Sequence, residues 1–332
     1  MDIELYVGAD IAAESIQLDW IETTTQTHRQ LSLKQDKRAY GRLVKQLTQQ
    51  NALEHIQVVM EATGNYWLSF AAYLQQAGIV VSVLNPVQAK HFAQAKLQRT
   101  KTDRVDAALL REYGRVMQPD AWIPPPPICQ QLQQYLNRRD DLLLMRNAER
   151  NRLHALKHHP QAQPDIIQPL QAHIRSLTQQ IHSLEQTIHA LLLSQHDWAQ
   201  AVRHLLTVKG LGYLTIARIL TATHAFARCS TPEQAAAFAG LAPHVRQSGK
   251  WKGKSTIGGA GHAALRQALY MAALSAARFN PLLHAFYSRL LQRGKLRKVA
   301  LCAVARKLLH LAWALVVKQR DFDPNWLSQL PA

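Results

Sequence analysis

Apolar and polar positions alternate from Glu4 to Asp10 (Glu-Leu-Tyr-Val-Gly-Ala-Asp) and again from Ser15 to Ile21, which predicts two strands; a third around Arg29 to Leu33 completes an antiparallel meander. Asp36 precedes a helical spacing that runs to about Gln50 and is placed to cap it. Ile56 to Glu61 is apolar without alternation, the mark of a strand buried on both faces. Ala62-Thr63-Gly64 and a helix from about Tyr66 to Gln76 follow. Gly78 introduces another apolar strand, Ile79 to Leu84. Asn85-Pro86 then opens a helix to about Leu97, which leads into a last one ending near Met117.

Three strands followed by alternating helix and strand is the order of an RNase H-like fold, so residues 1–122 are expected to form an α/β domain of that kind. Pro124 to Pro127, four prolines in succession, cannot continue a helix and predict a stiff spacer at the domain boundary. From Gln130 to about His158 and from Pro169 to about Ser194 the chain is Gln-rich and Leu-spaced. Leu177, Ile181, Leu184, Ile188 and Leu191 alternate steps of four and three, a heptad seam. Joined through the Pro160 to Pro164 turn, the two helices would form an antiparallel hairpin or a dimer contact, a coiled-coil arm over 123–200. His158, His159, His182 and His189 show no metal-ligand spacing with carboxylates and read as surface residues. Leu205 to Gly212, followed by the apolar helix Leu214 to Ala222, reads as a helix-hairpin-helix in which Lys209, Gly210 and Gly212 bring backbone N–H groups to a phosphate. Ala- and Leu-rich helices from Ala263 to Arg278 and Leu296 to Val317 predict the core of a mainly α-helical C-terminal domain, 201–332.

A chain of 332 residues suggests two or three domains. Nothing resembles a signal peptide and no apolar run reads as long enough to span a bilayer, so a cytoplasmic protein with no membrane partner is expected. Cys129, Cys229 and Cys302 fit no zinc spacing and read as reduced thiols. Charge changes the picture more. Residues 1–200 hold 20 Lys+Arg against 19 Asp+Glu, whereas 201–332 hold 19 against 3, so nearly all of the net +17 lies in the last part. That is the electrostatic footprint of a polyanion-binding domain, with double-stranded DNA as the expected partner. Lys295, Arg297 and Lys298, with Arg289 and Arg293, form a basic turn suited to phosphates, not base edges.

Two stretches carry candidate chemistry. In Lys101-Thr102-Asp103-Arg104-Val105-Asp106 the two carboxylates share a helix face, with Lys101 and Arg104 beside them as candidate phosphate contacts. Asp10 and Glu61 each end an apolar strand that an RNase H-like sheet would bring to the same edge. Four carboxylates at one point repel unless cations lie between them, and their oxygens suit Mg²⁺; two ions about 3.5 to 4 Å apart make a site for in-line displacement at phosphorus. Gly240 to Arg266 is the second stretch, with enough glycine that much of it is expected to be loop. In it Ser248 lies among Arg246, Lys250, Lys252 and Lys254, with Arg266 at its end, a setting that binds phosphate and stabilises an anionic transition state. A serine in a basic loop is ordinarily a polar loop residue, and no partner base is legible. His244 and His262 are near in sequence, and a carboxylate-bound metal would activate the hydroxyl equally well.

Met60-Glu61-Ala62-Thr63-Gly64, Asn85-Pro86, Lys101 to Ala107, Lys209-Gly210-Leu211-Gly212, Phe238 to Pro243 and Gln247-Ser248-Gly249 resemble, in order and over nearly the whole chain, the IS110-type transposases, with which the Piv-type DNA invertases are grouped. The resemblance implies a RuvC-like N-terminal domain with Asp10, Glu61, Asp103 and Asp106 as its metal-binding tetrad, a coiled-coil arm that mediates homodimers or higher homo-oligomers, and a C-terminal domain whose catalytic serine is Ser248. It also implies that recombination is guided by a structured non-coding RNA of the element. The expected function is therefore a DNA transposase that cuts and rejoins DNA through Ser248 with Mg²⁺ on the tetrad. A RuvC-like nuclease using water, a site-specific invertase and a non-catalytic nucleic-acid-binding protein are the alternatives.

Overall fold

The computed structural model describes residues 2–98, 102–244, 247–248, 251–252, 256–257 and 261–323. Two compact units divide between Pro124 and Pro125. In the first, β1 (Leu5–Ile11), β2 (Ser15–Ile21) and β3 (His28–Lys34) form the meander, followed by α1 (Lys37–Leu47), β4 (Ile56–Glu61), α2 (Leu68–Gln76), β5 (Val80–Leu84), α3 (Pro86–Ala95) and α4 (Asp103–Met117). Their sheet runs β3-β2-β1-β4-β5, with β1 antiparallel to β2 and parallel to β4, an order compatible with an RNase H-like domain. Local chemistry sets the helix starts. Asp36 accepts the Ala39 amide at 2.8 Å, Asn85 and Gln88 form a capping box, and Thr102 caps α4 through the Val105 amide at 3.3 Å. Ile16, Leu18, Met60, Phe70 and Leu74 fill one side of the sheet, while Val59, Leu84, Leu110 and Tyr113 fill the other with α4. Burial on both sides is why β4 lacks alternation.

The second unit opens with α5 (Pro127–Lys157), then α6 (Pro164–Leu193), α7 (His196–Leu206), α8 (Tyr213–Thr223) and α9 (Pro232–Phe238). Pro127, read as spacer, is instead at the start of α5, where its missing N–H leaves no broken bond. Pro169, read as a helix start, lies inside α6. An interior proline costs about 3 kcal/mol, and the hairpin packing outweighs it. That hairpin forms within the chain: Leu142 packs on Leu177 and Ile181, and Arg139 pairs with Glu185 at 2.7 Å. His189, read as a surface residue, is half-buried, its ring edge-on to Tyr213 at 4.2 Å.

Beyond α9 come four two-residue strands, β6 (Pro243–His244), β7 (Gln247–Ser248), β8 (Trp251–Lys252) and β9 (Thr256–Ile257), then α10 (Ala263–Phe279), α11 (Pro281–Gln292) and α12 (Arg297–Val317). The patterns of the chain did not predict α9 or α11, and of α7 they gave only the C-terminal end at Leu205-Leu206, as the first helix of the helix-hairpin-helix. By length and apolarity α12 does match a membrane span, contrary to the expectation that no run does. Val304, Leu308, Leu309 and Leu315 of α12 are buried in the main cluster of this unit together with Leu205, Leu269 and Leu283, which accounts for its composition. The three cysteines are free, and burial pushes the Cys129 thiol up to about 11.

Candidate active site

The position of Asp10 follows from a glycine two residues before it. Alternation along β1 puts Gly8 and Asp10 on one face, and α4 lies directly on that face. A Cβ at Gly8 would stand 1.9 Å from the Ala107 carbonyl oxygen and 2.5 Å from the Arg111 nitrogen. Gly114, two turns on, makes the same allowance in reverse, since a Cβ there would stand 2.7 Å from Val59 Cγ2 and 2.9 Å from Tyr6 Cδ1. Backbone therefore rests on backbone, and the first turn of α4, which carries Asp103 and Asp106, is delivered toward the end of β1. Glu61 ends β4, whose residue Met60 pairs with Ala9 in the parallel ladder, so Glu61 and Asp10 leave neighbouring strands together.

Asp10 registers this convergence. Its carboxyl is pushed up to about 6, first by burial and then by the negative charges of Asp106, Asp103 and Glu61, in that order, against one backbone hydrogen bond that favours the anion. Asp10, Glu61 and Asp106 are half-buried and Asp103 is exposed. The four groups share one field without forming a closed cage: among the described residues, no three His, Cys, Asp or Glu side chains are gathered tightly enough to hold an ion as they stand. The donor chemistry fits a hard divalent cation, being carboxylate oxygen throughout, and the repulsion felt by Asp10 is the quantity such a cation would relieve. Arg104 is exposed in the same turn; Lys101 lies outside the described residues.

Two features that support this arrangement were not found by reading the sequence. Asp19, the cross-strand partner of Gly8, is fully buried and faces Arg111 of α4, with Nε 3.0 Å from Oδ1. Gly8 itself was readable, since a glycine inside an apolar strand marks a close backbone approach.

In the second unit the described residues around Ser248 form short paired strands within the stretch expected to be largely loop. Pro243 pairs with Ile257, His244 with Thr256, Gln247 with Lys252 and Ser248 with Trp251. After these strands Gly261, at φ +97°, abuts Gly240; a Cβ would come within 2.5 Å of the Gly240 nitrogen. Ser248 and Lys252 are placed by their backbone, and Arg246, Lys250 and Lys254 lie outside the described residues. His262 caps α10 by accepting the Leu265 amide on Nδ1 at 3.1 Å, and burial, with Arg218 next, lowers its pKa. The neutral ring then carries its proton on Nε2, so His262 is a donor there, not a base. Arg266 donates to the Ala239 carbonyl at 3.3 Å.

In the predicted helix-hairpin-helix, Gly210 has φ +111°, and a Cβ would stand 2.6 Å from that of Ala276. Its small size thus serves packing on α10. Gly212 opens α8 with nothing within 4 Å of a Cβ, and Lys209 is exposed. Lys295, Arg297 and Lys298 are all exposed at the turn between α11 and α12.

Comparison with known proteins gives the family. Residues 7–158 match a family described as "Transposase", the DEDD type of IS110 elements, and residues 202–288 match "Transposase IS116/IS110/IS902 family". The pilin gene-inverting protein of Moraxella bovis is 30% identical over 271 residues, 81% of this chain and 82% of that protein. Its counterpart in Moraxella lacunata matches to the same extent. An uncharacterized 42 kDa protein of insertion element IS900 from Mycobacterium paratuberculosis is 31% identical over 121 residues, 36% of this chain and 30% of its own. With two family matches in order and a relative aligned over four-fifths of both chains, this protein belongs to the IS110 family of transposases, enzymes of DNA recombination.

Proposed function

We propose that this transposase cuts and rejoins DNA through Ser248, assisted by Mg²⁺ held at Asp10, Glu61, Asp103 and Asp106. The observation that carries the reading is the convergence at Asp10, whose pKa is raised first by burial and then by the charges of Asp106, Asp103 and Glu61. When bound there, the ions would neutralise phosphate charge and favour in-line displacement. The chain's own part begins with the basic second unit, which holds the DNA backbone through Lys209, the α8 N-terminus at Gly210 to Gly212, Arg266, and the Lys295, Arg297 and Lys298 turn. Arg104, Lys101, Arg246, Lys250, Lys252 and Lys254 supply positive charge about the reacting phosphate. Ser248 Oγ attacks phosphorus, the P–O3′ bond breaks, the hydroxyl proton is lost and O3′ leaves as a hydroxyl. The resulting 5′-phosphoserine ester keeps the bond energy for rejoining. In this reading 1–122 is an RNase H-like, RuvC-like catalytic domain, 123–200 an arm joining homo-oligomers, and 201–332 the DNA-binding transposase domain. A structured non-coding RNA of the element selects the DNA.

A second reading within the same chemistry, site-specific inversion, is favoured by the likeness to pilin gene-inverting proteins. Purified protein with its co-eluting nucleic acid, given DNA carrying the element's ends, tests both. The account expects a discrete RNA, Mg²⁺-dependent cleavage, and no cleavage by Ala variants at any tetrad position with DNA binding retained. Full cleavage by Asp103→Ala would refute it, and products inverted between sites would select the second reading.

A further inference from the structure

We infer that the buried Asp19–Arg111 ion pair is a positioning element that sets how α4 presents Asp103 and Asp106 to Asp10; this rests on the metal reading above. Asp19 is 0% exposed, and its Oδ2 is already engaged by His28 Nε2 at 2.6 Å and Gln30 Nε2 at 3.0 Å, both from β3. Its Oδ1 faces Arg111 Nε at 3.0 Å. That contact is an ion pair off the line of a hydrogen bond, since Asp19 Oδ1 and Arg111 Nε and Nη1 are buried with no hydrogen bond among the described residues. Asp19 is thus fixed from one side and reaches α4 on the other, at the cross-strand partner of Gly8, where helix and strand backbones touch.

A buried pair of this kind is a poor way to gain stability, because desolvation offsets the attraction, whereas it is effective at fixing register. Sliding α4 by one turn, about 5.4 Å, would strand both charges in the interior. Rotation is fixed as well. At about 100° per residue, Asp106 and Arg111 flank the Ala107, Leu110 and Gly114 line that rests on the sheet, on opposite sides of it. Since Arg111 is drawn to β2, Asp106 falls on the side of β4 and Glu61. Turning the helix at Arg111 therefore swings Asp106 relative to Asp10. Neither Asp19 nor Arg111 is among the tetrad, and both act through it.

The test measures Mn²⁺ binding to the full-length chain by calorimetry, beside thermal unfolding without metal and single-turnover cleavage. Wild type should bind Mn²⁺, and Asp103→Ala should bind it at least tenfold more weakly. Asp19→Asn, at a temperature where it is folded, should lose at least tenfold in Mn²⁺ affinity and in cleavage rate while DNA affinity is unchanged. Arg111→Lys, which keeps the charge, should recover part of what Arg111→Met loses. If Asp19→Asn does not fold, the Asp19→Leu/Arg111→Met pair, apolar on both sides, replaces it, and folded protein should still bind Mn²⁺ weakly. A folded variant of either kind that binds Mn²⁺ as wild type does would overturn the inference. Wild type that fails to bind, or Asp103→Ala that binds equally well, would instead overturn the metal reading, and this role with it.

Discussion

The carbonyl oxygen of Ala107 lies where a Cβ on Gly8 would be, 1.9 Å away, so the strand that carries Asp10 and the helix that carries Asp103 and Asp106 meet at a point only glycine permits. Gly8→Ala should therefore push α4 off β1. Overpacking of this kind costs about 1–3 kcal/mol. Thermal unfolding should show that loss, and metal-dependent cleavage should fall by far more than stability does. A Gly8→Ala protein with wild-type cleavage would mean that α4 need not lie on β1.

Asp10 gives a pH signature. Its pKa is raised from 3.8 to about 6 in the folded chain, so the folded state holds its proton more tightly than the unfolded one. Stability from this group is complete below about pH 4 and is lost as pH rises through about 6. Without divalent cation, the unfolding temperature should drop by a few degrees over that window through Asp10. Asp10→Asn should flatten the drop and leave the apoprotein more stable than wild type at pH 7.5. A steeper fall in Asp10→Asn would contradict the assignment.

The glycines of the predicted helix-hairpin-helix should separate by substitution. Gly210→Ala meets Ala276 at 2.6 Å in a left-handed backbone and should destabilise strongly, beyond about 1–3 kcal/mol. Gly212→Ser enters open space at the N-cap of α8 and should fold as well as wild type. Equal melting temperatures for the two would refute this division.

Much of the first unit was legible because its signals are local. Alternation around Val7 and Leu18, the cap at Asp36 and the Asn85-Pro86 start each involve residues a few positions apart; Asp10 and Glu61 were singled out by asking where such strands end, and Asp103 and Asp106 by their spacing on one helix face. Gly8 was readable as a point of close backbone approach, but what approaches it was not, because Asp19 and Arg111 become its neighbours only when β1, β2 and α4 assemble. Pro169 and α12 misled for a related reason, since packing overrides the local rule for proline and accounts for an apolar run that length alone assigns to a membrane. Ser248 was singled out by its basic neighbours, but the short strand that carries it depends on pairing across a glycine-rich stretch.

Charge in the second unit predicts a salt dependence. Changing Lys295, Arg297 and Lys298 together to Ala should weaken DNA binding uniformly across sequences and reduce the slope of log affinity against log salt by about 3. Fluorescence anisotropy between about 50 and 200 mM salt measures it. An unchanged slope would remove the turn between α11 and α12 from the interface.

The central claim is that Ser248 becomes covalently joined to DNA and that the carboxylates of the first unit are needed for it. Denaturing the reaction with labelled DNA, digesting it and mapping the modified peptide by mass spectrometry tests this directly. The account predicts a nucleotide on Ser248 in wild type with Mg²⁺, none in Ser248→Ala, and none in Asp103→Ala. Cleaved DNA with no protein adduct, or an adduct on another residue, would contradict it.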